Sequence, residues 1–451
     1  MPHTGTARPI PRIMLSVLCF PVLLVLAAGC DSGNGHRIVF SVGGTPSALL
    51  VWEELIANFE AQSDWRVTIL RQPADTGQQL QALLVALDSG QDDPDVFIMD
   101  VAWVGLFAAA GWLRPLGTID TEPFFEQVVE QVDKYNGKLL ALPVYMDAGL
   151  LYYRKDLLKK YGYAGPPRRY EELTAMAVAV QKGERRDNPG FYGFVWQGAQ
   201  YEGLVVNFLE FAGRGGGMLH QRNGRDVLDM TVPENRRGLT WMRDLIREHG
   251  ISPPSTYTAM REEEVRLWFQ QGNALFERNW PYAYALHDAP GSPVRGNVGV
   301  AMLPGWETDE PGLPTLGGWH IGISAQSDAP DGAMAFLRYV VSRGPQKRLA
   351  LRLGWNPGRE DLYDDPELLE KYPHLPVLET ALEHARSRPL LPFYIQLSEI
   401  AQQTLNAALA GNIAPGPALR DMQSQMAALL ARYGRETLLP EGTKTAGERG
   451  Q

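Results

Sequence analysis

Apolar and polar positions follow two rhythms along this chain, one of period two and one of period near 3.6, and they alternate from the start of the folded part. RIVFSV (37–42) is β-branched and aromatic and stops at Gly43 and Gly44, which predicts a strand ending in a turn. Leu49, Leu50, Leu55, Ile56 and Phe59 then recur at helical spacing. RVTIL (66–70) predicts a second strand, 77–87 a second helix and DVFIM (95–99) a third strand. Strands that alternate with helices predict a parallel sheet. Ligands of such sheets sit in the crevice beyond the carboxyl ends of the strands, which puts Gly43, Gly44, Ser47 and Asp100 near a site by topology alone. LLALPV (139–144), GFYGFVWQ (190–197) and NVGVAML (297–303) read as further strands, and 150–160 leads into a helical stretch at 170–182. Helical patterns dominate beyond Pro330, at 335–342, 397–409 and 417–433, and the polar segment after Leu439 reads as disordered. No unit of about 20–50 residues recurs, so a solenoid is excluded.

The first thirty residues are patterned differently. Arg8 and Arg12 precede the apolar run MLSVLCFPVLLVLAAG (14–29), which ends in small residues before Cys30, the layout of an export signal. The run is interrupted by Pro21 and is shorter than the roughly 20 residues that span a bilayer, so a removed signal is expected rather than a permanent anchor. Cys19 and Cys30 are the only cysteines, which leaves the rest of the chain without an internal disulfide.

A length of 451 residues corresponds to two or three domains at about 100–200 residues each. Hydrophobic residues at 45% and charged residues at 21% are those of an ordinary globular protein. Lys+Arg 42 against Asp+Glu 52 leaves a net charge of −10, so the cationic surplus that grips nucleic acid is missing. No nucleic-acid partner is expected.

Signatures of catalysis are sparse. No GxxxxGK[ST] string occurs, and GRGGG (213–217) lacks the closing glycine of a dinucleotide fingerprint and reads as a loop. None of the 8 histidines pairs at HExxH spacing, so neither a metal site nor a cofactor is expected. Gly322 to Gln326 misses the last glycine of a nucleophile elbow, and Glu262, Glu263 and Glu264 read as a solvated helix face. Aromatic residues in glycine-rich loop settings remain: Trp103, Tyr145, Trp196, Tyr201, Trp280, Tyr282, Trp319 and Trp355. Together with Asp100, Asp147 and Arg388 they suit a sugar, because aromatic rings cover the C–H faces of a pyranose while carboxylate and guanidinium groups bond its hydroxyls.

RIVFSVGGTP (37–46), DPDVFIMDVAW (93–103), GKLLALPVYMDAGLLYYRKDLLKKYGY (137–163), GFVWQGAQYEGL (193–204), FQQGNALFERNWPYA (269–283), LGGWHIGIS (316–324) and LGWNPGREDLYDDP (353–366) resemble the family 1 extracellular solute-binding proteins of carbohydrate ABC transporters. The likeness covers nearly all of 37–433 and is greatest to the trehalose/maltose-binding branch known from hyperthermophilic archaea. It implies an α/β, two-lobe periplasmic-binding-protein fold of type II-like topology with the ligand cleft between the lobes. Residues 37–143 plus about 300–355 would form the first lobe, and 144–299 plus about 356–436 the second, with crossovers near 143–149, 296–303 and 354–359. Residues 437–451 would be the disordered tail. LAAGC (26–30) resembles the lipobox of bacterial lipoproteins, implying a signal peptide at 1–29, a lipid on Cys30 that tethers the chain to the membrane, and a flexible tether at 30–36.

Carried over by position, Asp100 would accept hydrogen bonds from sugar hydroxyls and Tyr145 and Asp147 would add contacts from the crossover and second lobe. Trp280 and Trp319 would stack on sugar rings, the Gly317 backbone would approach the ligand, and Arg388, in SRPLLPFY (387–394), would donate to hydroxyls. The resemblance implies an exported, monomeric binding protein that is not an enzyme and delivers its sugar to permease subunits driven by a cytoplasmic ATPase. A sensor that presents the sugar to a receptor kinase and a secreted glycosidase are the alternatives. Close relatives in the branch carry an acid at the position of Ala48, a hydroxyl residue at Ala74 and an arginine at Gln79, so polar contacts on the first-lobe side are expected to be missing.

Overall fold

The computed structural model describes residues 36–440 except 74 and 308–310. The signal segment, Cys30, most of the tether, Ala74 and residues 441–451 lie outside the described residues. The strands, in chain order, are β1 (Arg37–Val42), β2 (Arg66–Arg71), β3 (Val96–Asp100), β4 (Lys134–Tyr135), β5 (Lys138–Leu139), β6 (Ala141–Ala148), β7 (Leu150–Arg154), β8 (Tyr192–Val195), β9 (Leu219–Arg222), β10 (Arg225–Leu228), β11 (Ala274–Asn279), β12 (Val298–Met302) and β13 (Leu316–Ile323).

β2, β1 and β3 are mutually parallel, as the alternating pattern predicts, and their sheet has five strands in the order β2-β1-β3-β13-β6. β13 lies antiparallel between β3 and β6. β1, β3, β13 and β6 are covered on both faces, which is why they read as apolar runs, whereas the edge strand β2 is half-exposed. Ile38, Phe40 and Val42 pack with Trp52, Leu55, Phe59 and Phe336, while Phe97 and Met99 pack with Leu83, Leu87 and Phe107. Burying side chains of this size contributes roughly 1.5–3 kcal/mol each. The helix Pro46–Glu60 begins with proline in its first turn, and the Thr45 hydroxyl accepts the Ala48 N–H at 3.3 Å; the helix Thr76–Asp88 is capped by the Asp75 carboxylate on the Gln78 N–H at 2.9 Å.

The second sheet has four strands in the order β12-β7-β11-β8, with β7 antiparallel to β11 and β12 and β8 parallel to β11. The helix Tyr170–Glu184 packs on β8, and the helices Glu202–Ala212, Pro233–Arg247, Tyr394–Leu409 and Pro415–Arg432 pack on one another beyond it. Among the described residues no helix is long and apolar enough to cross a membrane.

The chain leaves the first sheet at Gly149, between β6 and β7. It returns later than expected: β12 still pairs with β7, Gly305 bridges Arg169, and only β13 rejoins the first sheet, so the crossover falls after 303 rather than at 296–303. At the last crossover Gly354 ends the helix Arg343–Leu353 in the left-handed region, with φ 72°, and Pro357 then bridges Tyr145. Residues 150–154 form β7, and only Lys155–Lys160 is helical in that stretch. β11 has no counterpart in the periodic reading.

Candidate functional site

Strand register assembles the first half of the site. Trp319 of β13 stands opposite Asp100 of β3 on one side and Tyr145 of β6 on the other, and Gly317 stands opposite Asp147. Directly opposed residues of antiparallel strands share a face, and residues two apart along a strand do too, so Asp100, Tyr145, Asp147, Gly317 and Trp319 project to the same side. The register shifts between Trp319 and His320, a bulge at the point where the strand meets the cavity. The rings form a continuous wall: Tyr145 stacks on Trp355 at 4.4 Å and lies 6.5 Å from Trp319, which meets Trp103 edge-on at 5.4 Å.

Trp280 follows β11 of the second sheet. Its N–H donates to Asn279 Oδ1 at 2.8 Å, its carbonyl accepts the Tyr152 hydroxyl at 2.9 Å, and the Arg278 guanidinium lies 4.2 Å from its ring centroid. Gly317 lets the indole come close: a Cβ there would lie 2.8 Å from Trp280 Cζ3. Arg388 donates to Asp100 Oδ1 at 3.1 Å and to Glu202 Oε1 at 2.9 Å, and Glu202 also accepts the hydroxyls of Tyr394, at 2.6 Å, and Ser398.

Asp100, Tyr145, Asp147, Trp280, Gly317, Trp319 and Arg388 all line one cavity of about 370 Å³. Sequence reasoning gathered these residues but missed others on the same wall: Thr76, Glu202, Val206 and Glu262. Tyr201, Tyr282 and Trp355 were marked only as aromatics in loop settings; Trp355 has the same Gly-Trp context as Trp319, a signal that could have promoted it. A wider hollow of about 710 Å³ continues the cleft outward and shares Thr76, Asp100, Tyr201, Glu202, Glu262 and Arg388 with it. Gly43, Gly44 and Ser47 do not line the cavity.

The acidic triplet is only partly the solvated face it resembles. Glu264 accepts the Arg261 N–H at the helix start, Glu263 binds Arg266 and the Tyr282 hydroxyl, and Glu262 reaches the cavity because the helix Glu262–Gln270 starts at its rim. Ala48 is buried in the first lobe's helix, and the Gln79 amide donates to the Pro73 carbonyl at 2.8 Å rather than into the cavity.

Burial raises the Asp147 pKa to about 7; the Asn356 amide opposes the rise, neighbouring Asp100 adds to it, and Arg278 lowers it. Burial works against the charge on Arg388, but Asp100 and Glu202 outweigh it and hold the guanidinium protonated. Among the described residues no cluster of three or more His, Cys, Asp or Glu side chains is arranged to hold a metal ion. The cavity therefore offers ring faces, carboxylate acceptors and a fixed guanidinium donor, the groups that bind a neutral polyhydroxylated ring.

Residues 45–347 match the family described as bacterial extracellular solute-binding protein. A probable ABC transporter-binding protein of Deinococcus radiodurans is 36% identical over 372 residues, covering 81% of this chain and 87% of that protein. The maltotriose-binding protein of Pyrococcus abyssi is 25% identical over 373 residues, covering 81% of this chain and 75% of its own length. Among solved structures, maltose-bound MalE3 of T. maritima superposes with a TM-score of 0.78 at 35% identity, covering 87% of this chain and 100% of the other. The two-lobe α/β fold, the cleft and these relatives agree, and the chain belongs to the bacterial extracellular solute-binding proteins, which serve ABC transporters.

Proposed function

We propose that this protein captures an α-linked disaccharide of the trehalose or maltose type, or a related glucoside, by closing its lobes around the sugar, and hands it unchanged to the permease subunits. The observation that carries the reading is the single cavity in which ring faces from β13, β6 and the segment after β11 meet Asp100, Asp147 and Arg388. Maltose in the 35% identical MalE3 supports the same ligand class. In this reading the lobes comprise residues 36–148 with about 315–355, and about 150–305 with 356–439, and turn on the segments that join the two sheets. Ligand touching both lobes favours the closed state by its differential affinity for that state. Cys30 serves as the lipid anchor; Cys30→Ser should release the protein from the membrane fraction.

With Ala48 and Gln79 withdrawn from the cavity, the first-lobe half lacks the polar contacts of the branch and should accept a different second sugar or a smaller aglycone. A site without a given buried partner has little means of rejecting a ligand that lacks the matching hydroxyl. Calorimetric titration with trehalose, maltose, sucrose and glucosylglycerol tests the proposal. At least one glucoside should bind, and Trp319→Ala should weaken it by about 30-fold, the size of an aromatic hot spot. No binding by any of them, or unchanged affinity in Trp319→Ala, would overturn this assignment.

A further inference from the structure

A buried ion pair lies directly behind the cavity wall. Arg278 and Glu210 are both fully buried, joined through Nε to Oε2 at 2.7 Å and through Nη2 to Oε1 at 2.5 Å. Two charges removed from water need nearly every donor and acceptor matched, and this pair has further partners. Arg278 Nη1 donates to Gln197 Oε1 at 3.4 Å, while the Gln197 amide donates to the Arg278 carbonyl at 3.0 Å.

The pair reaches outward in three directions. Toward the cavity, the guanidinium stacks on the Trp280 ring at 4.2 Å. Toward β13, Glu210 Oε1 accepts the N–H of Thr315 at 3.1 Å, one residue before the strand that carries Gly317 and Trp319. Toward β6 and β7, the backbone of Gly149 passes so close that a Cβ there would lie 2.0 Å from Glu210 Oε1 and 2.6 Å from Arg278 Nη2. Gly149 and Thr315 stand on the two segments where the chain changes sheets, and Thr315 also bridges Arg386, two residues before Arg388.

We propose that Arg278 and Glu210 are positioning residues that fix the Trp280 ring to both sheet-crossing segments, so that pressure of a ligand on the indole and rotation of the lobes are mechanically one event. The proposal rests on the reading of the cleft as a site that closes on a sugar. A cation over an indole holds the ring plane without occupying the cavity, and the bidentate fork fixes the cation in turn. Gly149 is required because only a residue without a side chain lets the crossover backbone touch the pair.

The test compares Glu210→Gln, Arg278→Met and the double variant with the parent protein. Each single change strands one buried charge and should lower the melting temperature; the double change removes both and should recover most of it. Affinity for the glucoside bound by the parent should remain about tenfold weaker in the double variant, the equivalent of a desolvated cation–π contact. Hydrogen exchange on the ligand-free double variant should quicken at Thr315 and Gly149 and stay unchanged in β1 and β8. A double variant with recovered stability, parental affinity and parental exchange at those amides would reduce the pair to packing and overturn the proposal. If the parent binds no glucoside, the sugar reading fails, and the exchange experiment alone decides: unchanged protection at Thr315 and Gly149 refutes the coupling, and quickened exchange there upholds it.

Discussion

Asp147 is half-buried in the cavity wall, where its carboxyl group accepts the Asn356 amide at 3.2 Å. Burial therefore raises its pKa from 3.8 to about 7, against the pull of that hydrogen bond. The sign for stability follows from proton counting. Between about pH 4 and pH 7 the folded chain holds a proton that the unfolded chain has released, so stability falls as pH rises through that window. Asp147→Asn is neutral throughout and should lose this part of the slope. Melting temperatures of the two proteins should converge near pH 4 and diverge toward pH 7, with the variant more stable at the upper end; parallel curves would refute the assignment. Asp100, by contrast, has its Oδ1 engaged by the Ala102 N–H and by Arg388. Two acids that point into one cavity thus meet it differently, one beside a cation and one beside an amide.

Among the elements, β13 sets the geometry of the cavity through adjacent glycines with different duties. At Gly318 φ is 129° and a Cβ would lie 2.6 Å from the Tyr145 carbonyl oxygen, so Gly318→Ala strains backbone against backbone and should cost about 1–3 kcal/mol in chemical denaturation. At Gly317 the neighbour is the edge of the Trp280 side chain at the cavity wall rather than backbone. Gly317→Ala should leave stability within about 1 kcal/mol of the parent and weaken glucoside binding about tenfold, as measured by calorimetry. Equal loss of stability in the two variants would deny them separate roles.

The same elements show what the sequence makes legible. β1, β2 and β3 announce themselves because their apolar residues meet helices nearby in the chain, and Asp100 follows from the end of β3. Tyr145, Trp280 and Trp319 stand out as aromatics in glycine-rich settings with Asp147 and Arg388 as polar complement, and Gly317 is reached through the resemblance alone. β11 stays hidden because ALFERN carries an acid, a base and an amide, yet all its residues are buried. Its charges are acceptable only beside partners that local pattern cannot reveal: Glu210, 68 positions before Arg278, and His287, 2.7 Å from Glu277. Glu202 escapes for the same reason, since its role depends on Arg388, 186 positions later.

For the whole molecule, Arg388 is the cross-piece. It ties Asp100 at the end of β3 to Glu202 at the start of the helix Glu202–Ala212, joining an element of the first sheet to one of the helical layer beyond the second. Asp100→Asn keeps the hydrogen-bonding shape but removes the charge that Arg388 meets at the end of β3. Loss of about 1.4 kcal/mol of charge-assisted bonding would shift the open–closed balance about tenfold toward open. Small-angle scattering of the ligand-free variant should show a larger radius of gyration than the parent; an identical radius would mean that Arg388 does not hold the lobes. The position of β13 has a consequence of another kind, in the order of synthesis. A ribosome delivers β1, β2, β3 and β6 and then every strand of the second sheet before it delivers Leu316. Until then β3 has an open edge and β6 has no neighbour in its sheet. The first sheet cannot be completed until Leu316–Ile323 is made, an order of synthesis compatible with threading through an export channel before folding is complete.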